Sequence, residues 1–243
     1  MREVDRLLAE ADADEDVLGV ILGGSRGKRA LVDDDSDWDV YVVVRDDADA
    51  EAWRTRWPSQ HGDEVEVFVQ TLAAFRDYAL PATPDRWNAY TFAHVEPLLD
   101  KLDGEIARLA AEKARADPAT AAQAVDTYIN AYYRSYKNAR RGWGIAAQLD
   151  AAESIAPFLE FVFAVRGRVR PFNKFLEWEL REHPLGDPWS PESLPRRLAR
   201  IAATGDLAEQ AALFRDAEEE ARRRGLSDVV DGWEPDVAPL RGG

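Results

Sequence analysis

Two short stretches decide the fold of this chain: Gly23-Gly24-Ser25-Arg26-Gly27 and, after a polar loop, Ser36-Asp37-Trp38-Asp39-Val40-Tyr41-Val42. Ahead of them Val17-Leu18-Gly19-Val20-Ile21-Leu22 is a brief apolar run that reads as a buried strand entering a glycine turn. Glycines directly after a strand let backbone amides approach a ligand, and a helix opening there would turn its N–H groups toward an anion. Residues 38–44 read as a second strand, so Asp37 and Asp39, two apart, share one face while Trp38, Val40 and Val42 take the other. Two carboxylates side by side are costly unless a cation lies between them. A divalent ion such as Mg²⁺ suits that position, because it accepts carboxylate oxygens and leaves sites for phosphate.

A third strand follows, with Val65, Val67 and Val69 alternating with Glu64, Glu66 and Phe68. If it pairs beside the second strand, Glu66, flanked by valines, completes a cluster of three carboxylates. Glu64 shares its face and stands as the alternative. Helices are expected at 2–12, 48–57 and near 71–79, and a further strand within 88–99. From about residue 103 the pattern is helical: 103–116, 118–142, 150–167, 171–183, 191–204 and 206–224, punctuated by Pro118, Gly142, Gly144, Pro171, Pro184 and Gly205. The tail from Gly225 reads as irregular. The expected architecture is α+β: a small α/β domain with a mixed sheet over 1–100, then an all-helical bundle domain over 101–243.

The glycine turn, the Asp37-Trp38-Asp39 pair and the later Val65-Glu66-Val67 together resemble the nucleotidyltransferase superfamily of the DNA polymerase beta-like fold. Within it they are similar to the small bacterial aminoglycoside and lincosamide nucleotidyltransferases. The match spans roughly residues 17–69. Tyr132-Tyr133-Arg134-Ser135-Tyr136-Lys137-Asn138 and Arg168-Val169-Arg170-Pro171-Phe172-Asn173-Lys174 resemble, less specifically, stretches of the helical bundle of such proteins. The resemblance implies a catalytic and metal-binding set of Asp37, Asp39 and Glu66. The two aspartates would be ligands shared by two Mg²⁺ ions, and Glu66 a ligand on the nucleophile side or a base toward the acceptor hydroxyl. It further implies that Gly24 and Ser25 hold the β- and γ-phosphates of a nucleoside triphosphate, ATP by preference, with Arg26 either within reach of phosphate or equally a surface charge. Lys137 and Lys174 are candidates for the triphosphate tail, a point-charge role that lysine fills well. The implied reaction transfers a nucleoside monophosphate to a hydroxyl of a small molecule and releases pyrophosphate. Adenylylation of a partner protein by an antitoxin-like protein, and a catalytically inactive nucleotide-binding scaffold, are the alternatives.

Composition narrows the field. Among 243 residues there is no cysteine, which excludes disulfides, thiolate metal sites and a cysteine nucleophile. His61, His94 and His183 are too dispersed for a local ligand pair. The net charge is −15, and residues 1–100 hold 23 acids against 10 bases. So acidic a chain is a poor general binder of nucleic acid. An acidic cleft suits a cationic acceptor such as an aminoglycoside, whereas arginine outnumbering lysine 26 to 5 equally fits a merely solubilising surface. No apolar run approaches the roughly 18 residues of a membrane span, so a cytoplasmic protein is expected, with a homodimer or a partner protein as the candidate assemblies. Asp33-Asp34-Asp35 reads as a solvated loop. Tyr128, Tyr132 and Tyr136, and the run from Phe158 to Val165, read as helix packing.

Overall fold

The computed structural model describes residues 3–58 and 64–242; His61 and Arg2 lie outside them. The chain divides into two compact units, Met1–Arg115 and Ala116–Gly243.

The first unit is built on a four-stranded mixed sheet in the order β3-β2-β1-β4. Its strands are β1 (Val17–Leu22), β2 (Trp38–Val44), β3 (Val65–Thr71) and β4 (Pro97–Asp100). β1 is antiparallel to β2 and to β4, while β2 and β3 run parallel. Alternation sorts the faces. Val40, Val42 and Val44 of β2, with Val65 and Val69 of β3, pack against Val4, Leu7 and Ala11 of α1 (Glu3–Ala13) and Trp53 of α3 (Ala50–Arg56). The opposite face carries Asp39, Tyr41, Glu66 and Phe68. There Tyr41 stacks on Phe68 with centroids 4.8 Å apart and meets Phe92 edge-on at 5.0 Å. α2 (Gly24–Lys28) follows β1, and α4 (Leu72–Asp77) follows β3. On β3, Arg54 of α3 donates to the Val69 carbonyl at 2.8 Å.

The expected strand within 88–99 is realised only as β4. Residues 84–92 wind instead into a 3₁₀ helix, with Pro84 in its first turn. Tyr90, Thr91 and Phe92 carry strand propensity, but a 3₁₀ helix eclipses residues three apart, and Asn88 and Thr91 are hydrogen-bonded across that interval. α5 (Glu105–Lys113) belongs with the sheet, although the hydropathy pattern places the start of the helical domain at residue 101. Gly19 of β1 leaves room for Ile106, whose Cγ1 would stand 2.7 Å from a Cβ there, and Ala107 N donates to Asp100 Oδ2 at 3.1 Å.

The second unit is helical: α6 (Pro118–Arg140), α7 (Gly144–Ala164), α8 (Leu176–Glu182), α9 (Leu194–Thr204), α10 (Leu207–Arg223) and α11 (Ser227–Asp231). Tyr128 and Tyr132 are core residues, packed on Phe158 (5.4 Å) and Phe214 (5.8 Å) respectively. α7 starts earlier than the expected residue 150, because the Trp143 carbonyl already accepts from Ala147 N at 2.9 Å. The tail is ordered where irregularity was expected. Val230, Val237 and Leu240 are fully buried, and Tyr132 OH, Tyr133 OH and Asp126 bind Leu240, Asp236 and Trp233 in turn. Its prolines and glycines hid an apolar spacing that reaches the core. Among the described residues no helix is long and apolar enough to cross a membrane.

Candidate functional site

The glycine turn is bound to the second strand through its backbone. Gly23 N donates to the Asp39 carbonyl at 2.8 Å, and Gly27 N returns to the Gly23 carbonyl at 2.8 Å, opening α2. Gly24 has φ +58°, and a Cβ there would stand 2.1 Å from Asp39 Oδ2. A Cβ on Gly23 would meet Thr91 Cγ2 at 2.7 Å and Tyr41 Cε2 at 3.2 Å. Both positions therefore need glycine, one for its left-handed backbone and both for close approach. The helix that opens after the turn is only five residues long, so it contributes a few amides and little macrodipole. Ser25 is buried within it, and its carbonyl accepts from Ala30 N at 3.0 Å.

Asp37 immediately precedes β2 and is exposed, while Asp39 on β2 is half-buried. The parallel register sets Asp39 level with Glu66 and Trp38 level with Val65. Glu66 is 6% exposed on the face that carries Asp39, whereas Glu64 lies before the strand, exposed, with its carbonyl accepting from Trp38 N at 2.9 Å. Register thus separates two glutamates that alternation leaves equivalent. Among the described residues no three acidic or histidine side chains are gathered closely enough to hold one ion. The expected three-carboxylate cage is therefore not formed: Glu66 is aligned with Asp39, but the set as it stands offers no shared three-ligand site.

Arg26, a candidate for phosphate, is engaged by the loop that follows it. Its Nε and Nη2 donate to the Ser36 carbonyl at 3.0 and 2.7 Å, Nε also reaches the Asp37 carbonyl at 3.1 Å, and the guanidinium lies 4.4 Å over the Trp38 ring. This clasp holds the loop that delivers Asp37. Ser36 Oγ in turn donates to Asp33 Oδ1 at 2.8 Å, giving the acidic run a turn-forming job. Lys137 and Lys174 belong to the second unit. Both are exposed, with their ammonium groups 4.8 and 5.0 Å from the rings of Tyr133 and Phe175.

Sequence reasoning missed a buried polar cluster on the carboxylate face of the sheet. Asn88 Nδ2 donates to Tyr41 OH at 2.9 Å and to Tyr78 OH at 2.8 Å, and Asn88 Oδ1 accepts from Thr91 Oγ1 at 2.6 Å. Lys28, the last residue of α2 and itself buried, donates to the Thr91 carbonyl at 2.9 Å. Burial, followed by the neighbouring Tyr78 and Asp39, pushes the Tyr41 hydroxyl well above the usual phenol range, so it stays neutral. The three-residue spacing of Asn88 and Thr91 after Pro84 was the available signal. A cavity of about 660 Å³ opens beside α2, lined by Arg26, Lys28, Arg29, His94 and Glu96 among others; Asp37, Asp39 and Glu66 do not line it.

No protein-family model matches the chain, and no curated protein matches it. Among solved structures it is similar to a nucleotidyltransferase-like protein from Exiguobacterium sibiricum 255-15, with a TM-score of 0.43 and 12% identity, over 98% of this chain and 76% of that one. A likeness of that size bears on neither substrate nor chemistry.

Proposed function

We propose that the chain is a metal-dependent nucleotidyltransferase that moves a nucleoside monophosphate, by preference from ATP, to a hydroxyl of a small molecule. The observation that carries this reading is the seating of the Gly23-Gly24 turn directly on Asp39, level with Glu66. A backbone turn with no side chain lies against a carboxylate at the point where the triphosphate and its metal would have to meet.

The donor chemistry fits Mg²⁺ in a restricted way. Mg²⁺ is usually bound through one or two carboxylates, keeping its other positions for water and phosphate oxygens, so Asp37 and Asp39 suffice and a third carboxylate is not needed. When bound, the metal would neutralise the charge that develops on the transferring phosphoryl group. The residues of this chain do the rest. Gly24 lets the backbone come close to the phosphates, Ser25 stands next to it, and Arg26 holds the loop bearing Asp37. Glu66 takes the proton of the acceptor hydroxyl. The acceptor oxygen then forms a bond to the α-phosphorus, the bridge to the β-phosphate breaks, and pyrophosphate leaves with that electron pair. The acidity of residues 1–100 supports a cationic acceptor, of which an aminoglycoside is the example we would try first.

The test is pyrophosphate release from each of the four ribonucleoside triphosphates with Mg²⁺, across a panel of hydroxyl acceptors that includes aminoglycosides. Turnover abolished by Asp39→Asn is the expected result. Full turnover in Asp39→Asn removes the metal role, and neither binding nor turnover of any triphosphate overturns the reading.

A further inference from the structure

Asn88 is buried, and the protein itself uses both of its amide protons and its carbonyl oxygen. The three groups it binds come from separate elements: Tyr41 from β2, Tyr78 from the segment after α4, and Thr91 from its own 3₁₀ helix. Two of those three are the side chains that wall in the glycine turn. Thr91 presents its methyl group, and Tyr41 its ring edge, to the point where a Cβ on Gly23 would stand, at 2.7 and 3.2 Å; the third close neighbour is Asp39 Cβ at 3.5 Å. Thr91 is fixed from its other end as well, through the bond from Lys28 Nζ to its carbonyl.

We propose that Asn88 is a positioning residue: by orienting Thr91 and Tyr41 it sets where the Gly23-Gly24 turn stands against Asp39. The link to catalysis rests on reading that turn as the triphosphate grip. Asparagine is the side chain the arrangement demands, since one planar amide supplies two donors to two hydroxyls and one acceptor to a third. Aspartate has no donor to offer the tyrosines, and leucine fills the space with no polar group. A hydrogen-bonded cluster buried to this degree holds its members in one arrangement, and losing one partner leaves the others unsatisfied.

The experiment is residue-resolved amide hydrogen exchange on the full chain and on three variants, followed by binding of MgATP. Asn88→Leu removes the hub. Thr91→Val keeps the shape and the methyl group while removing the hydroxyl, so it remains informative if Asn88→Leu fails to fold. Tyr78→Phe loses one bond to Asn88, at a ring that is not among the nearest neighbours of a Cβ on Gly23 or Gly24. The Gly23 amide, bonded to the Asp39 carbonyl, should exchange roughly tenfold faster in Asn88→Leu and Thr91→Val, the size expected for one lost buried hydrogen bond. Amides in the middle of β1 and β2 should be unchanged, and Tyr78→Phe should stay within about twofold of the parent. Unchanged exchange at Gly23 overturns the proposal. So does equal acceleration throughout the sheet, which would reduce the cluster to general packing. MgATP binding separates the two claims. A parent chain that binds no MgATP removes the preference for ATP, one that binds none of the four ribonucleoside triphosphates with Mg²⁺ sinks the nucleotide reading, and in either case the exchange result decides the positioning role. A parent that binds MgATP should weaken about five- to tenfold in Thr91→Val and hardly at all in Tyr78→Phe, and equal affinities in all three would break the link to the site.

Discussion

Replacing Gly24 by alanine tests the contact on which the site depends. Two costs are expected, and they differ in kind. The first is conformational: at φ +58° an alanine gives up roughly 1–2 kcal/mol relative to its preferred regions. The second is geometric. The new methyl carbon would lie 2.1 Å from Asp39 Oδ2, whereas a carbon and an oxygen in contact keep about 3.3–3.6 Å. The carboxylate must therefore swing away by roughly 1.2–1.5 Å, or the turn must lift by as much. Asp39 is the end of a short, rotatable side chain, so this second cost falls on position more than on stability. A displacement of about 1 Å at a reacting centre is worth on the order of 10² in rate. Gly104, in the same unit, supplies the control, for it has φ +93° and no atom within 4 Å of the place a methyl carbon would take. Urea midpoints and pyrophosphate release measured on Gly24→Ala and Gly104→Ala should show similar losses of stability, about 1–2 kcal/mol each. Only Gly24→Ala should lose turnover, by about 10². Equal activity in the two variants would refute the idea that turnover depends on where the Asp39 carboxylate stands.

Two further outcomes are expected. Glu66→Gln should lower the turnover number by a factor on the order of 10²–10⁴ with little change in triphosphate affinity, while Glu64→Gln, displaced by about 6.5–7 Å along the strand, should be nearly neutral; steady-state kinetics beside a direct binding measurement decides it, and a dead Glu64→Gln reverses the assignment. Lys113, buried against the rings of Phe75 and Phe92, has its pKa lowered to about 8, chiefly by burial. The folded chain then releases this proton at lower pH than the unfolded chain does, so the first unit should gain stability as pH climbs from about 8 toward the ordinary lysine range, and Lys113→Met should remove that gain when urea midpoints at about pH 7 and pH 10 are compared.

Much of the scaffold was legible because its signals are local. The runs 17–22, 38–44 and 65–69 carry their own periodicity, and the structure has strands at each. The helices from Pro118 onward are announced by caps and prolines, as at Asp117, which accepts from Ala119 N. What was hidden depends on partners distant in the chain. That Glu66 rather than Glu64 stands level with Asp39 follows from register against β2, which neither strand encodes alone. Arg26 beside a glycine turn reads equally as a phosphate partner or a surface charge; that Ser36 and Trp38 fold back to meet it is a tertiary fact. The segment 84–92 has strand-forming residues and helical spacing of its polar ones, and only the partners of Asn88 settle which prevails. The tail misleads for the opposite reason, since its turn-forming residues are conspicuous and the buried Val237 and Leu240 are not.

The bond from Arg54 to the Val69 carbonyl has a consequence beyond holding α3 in place. β3 and β4 are the outermost strands of an open sheet, and an outermost strand can recruit a strand from another molecule through its unused peptide groups. On β3 one such carbonyl is already taken by a guanidinium. β4 is four residues long and begins with Pro97, which has no N–H to offer. Each edge of this valine-rich sheet, sticky by composition, thus offers a neighbouring strand a shorter or less complete row of peptide groups to pair with.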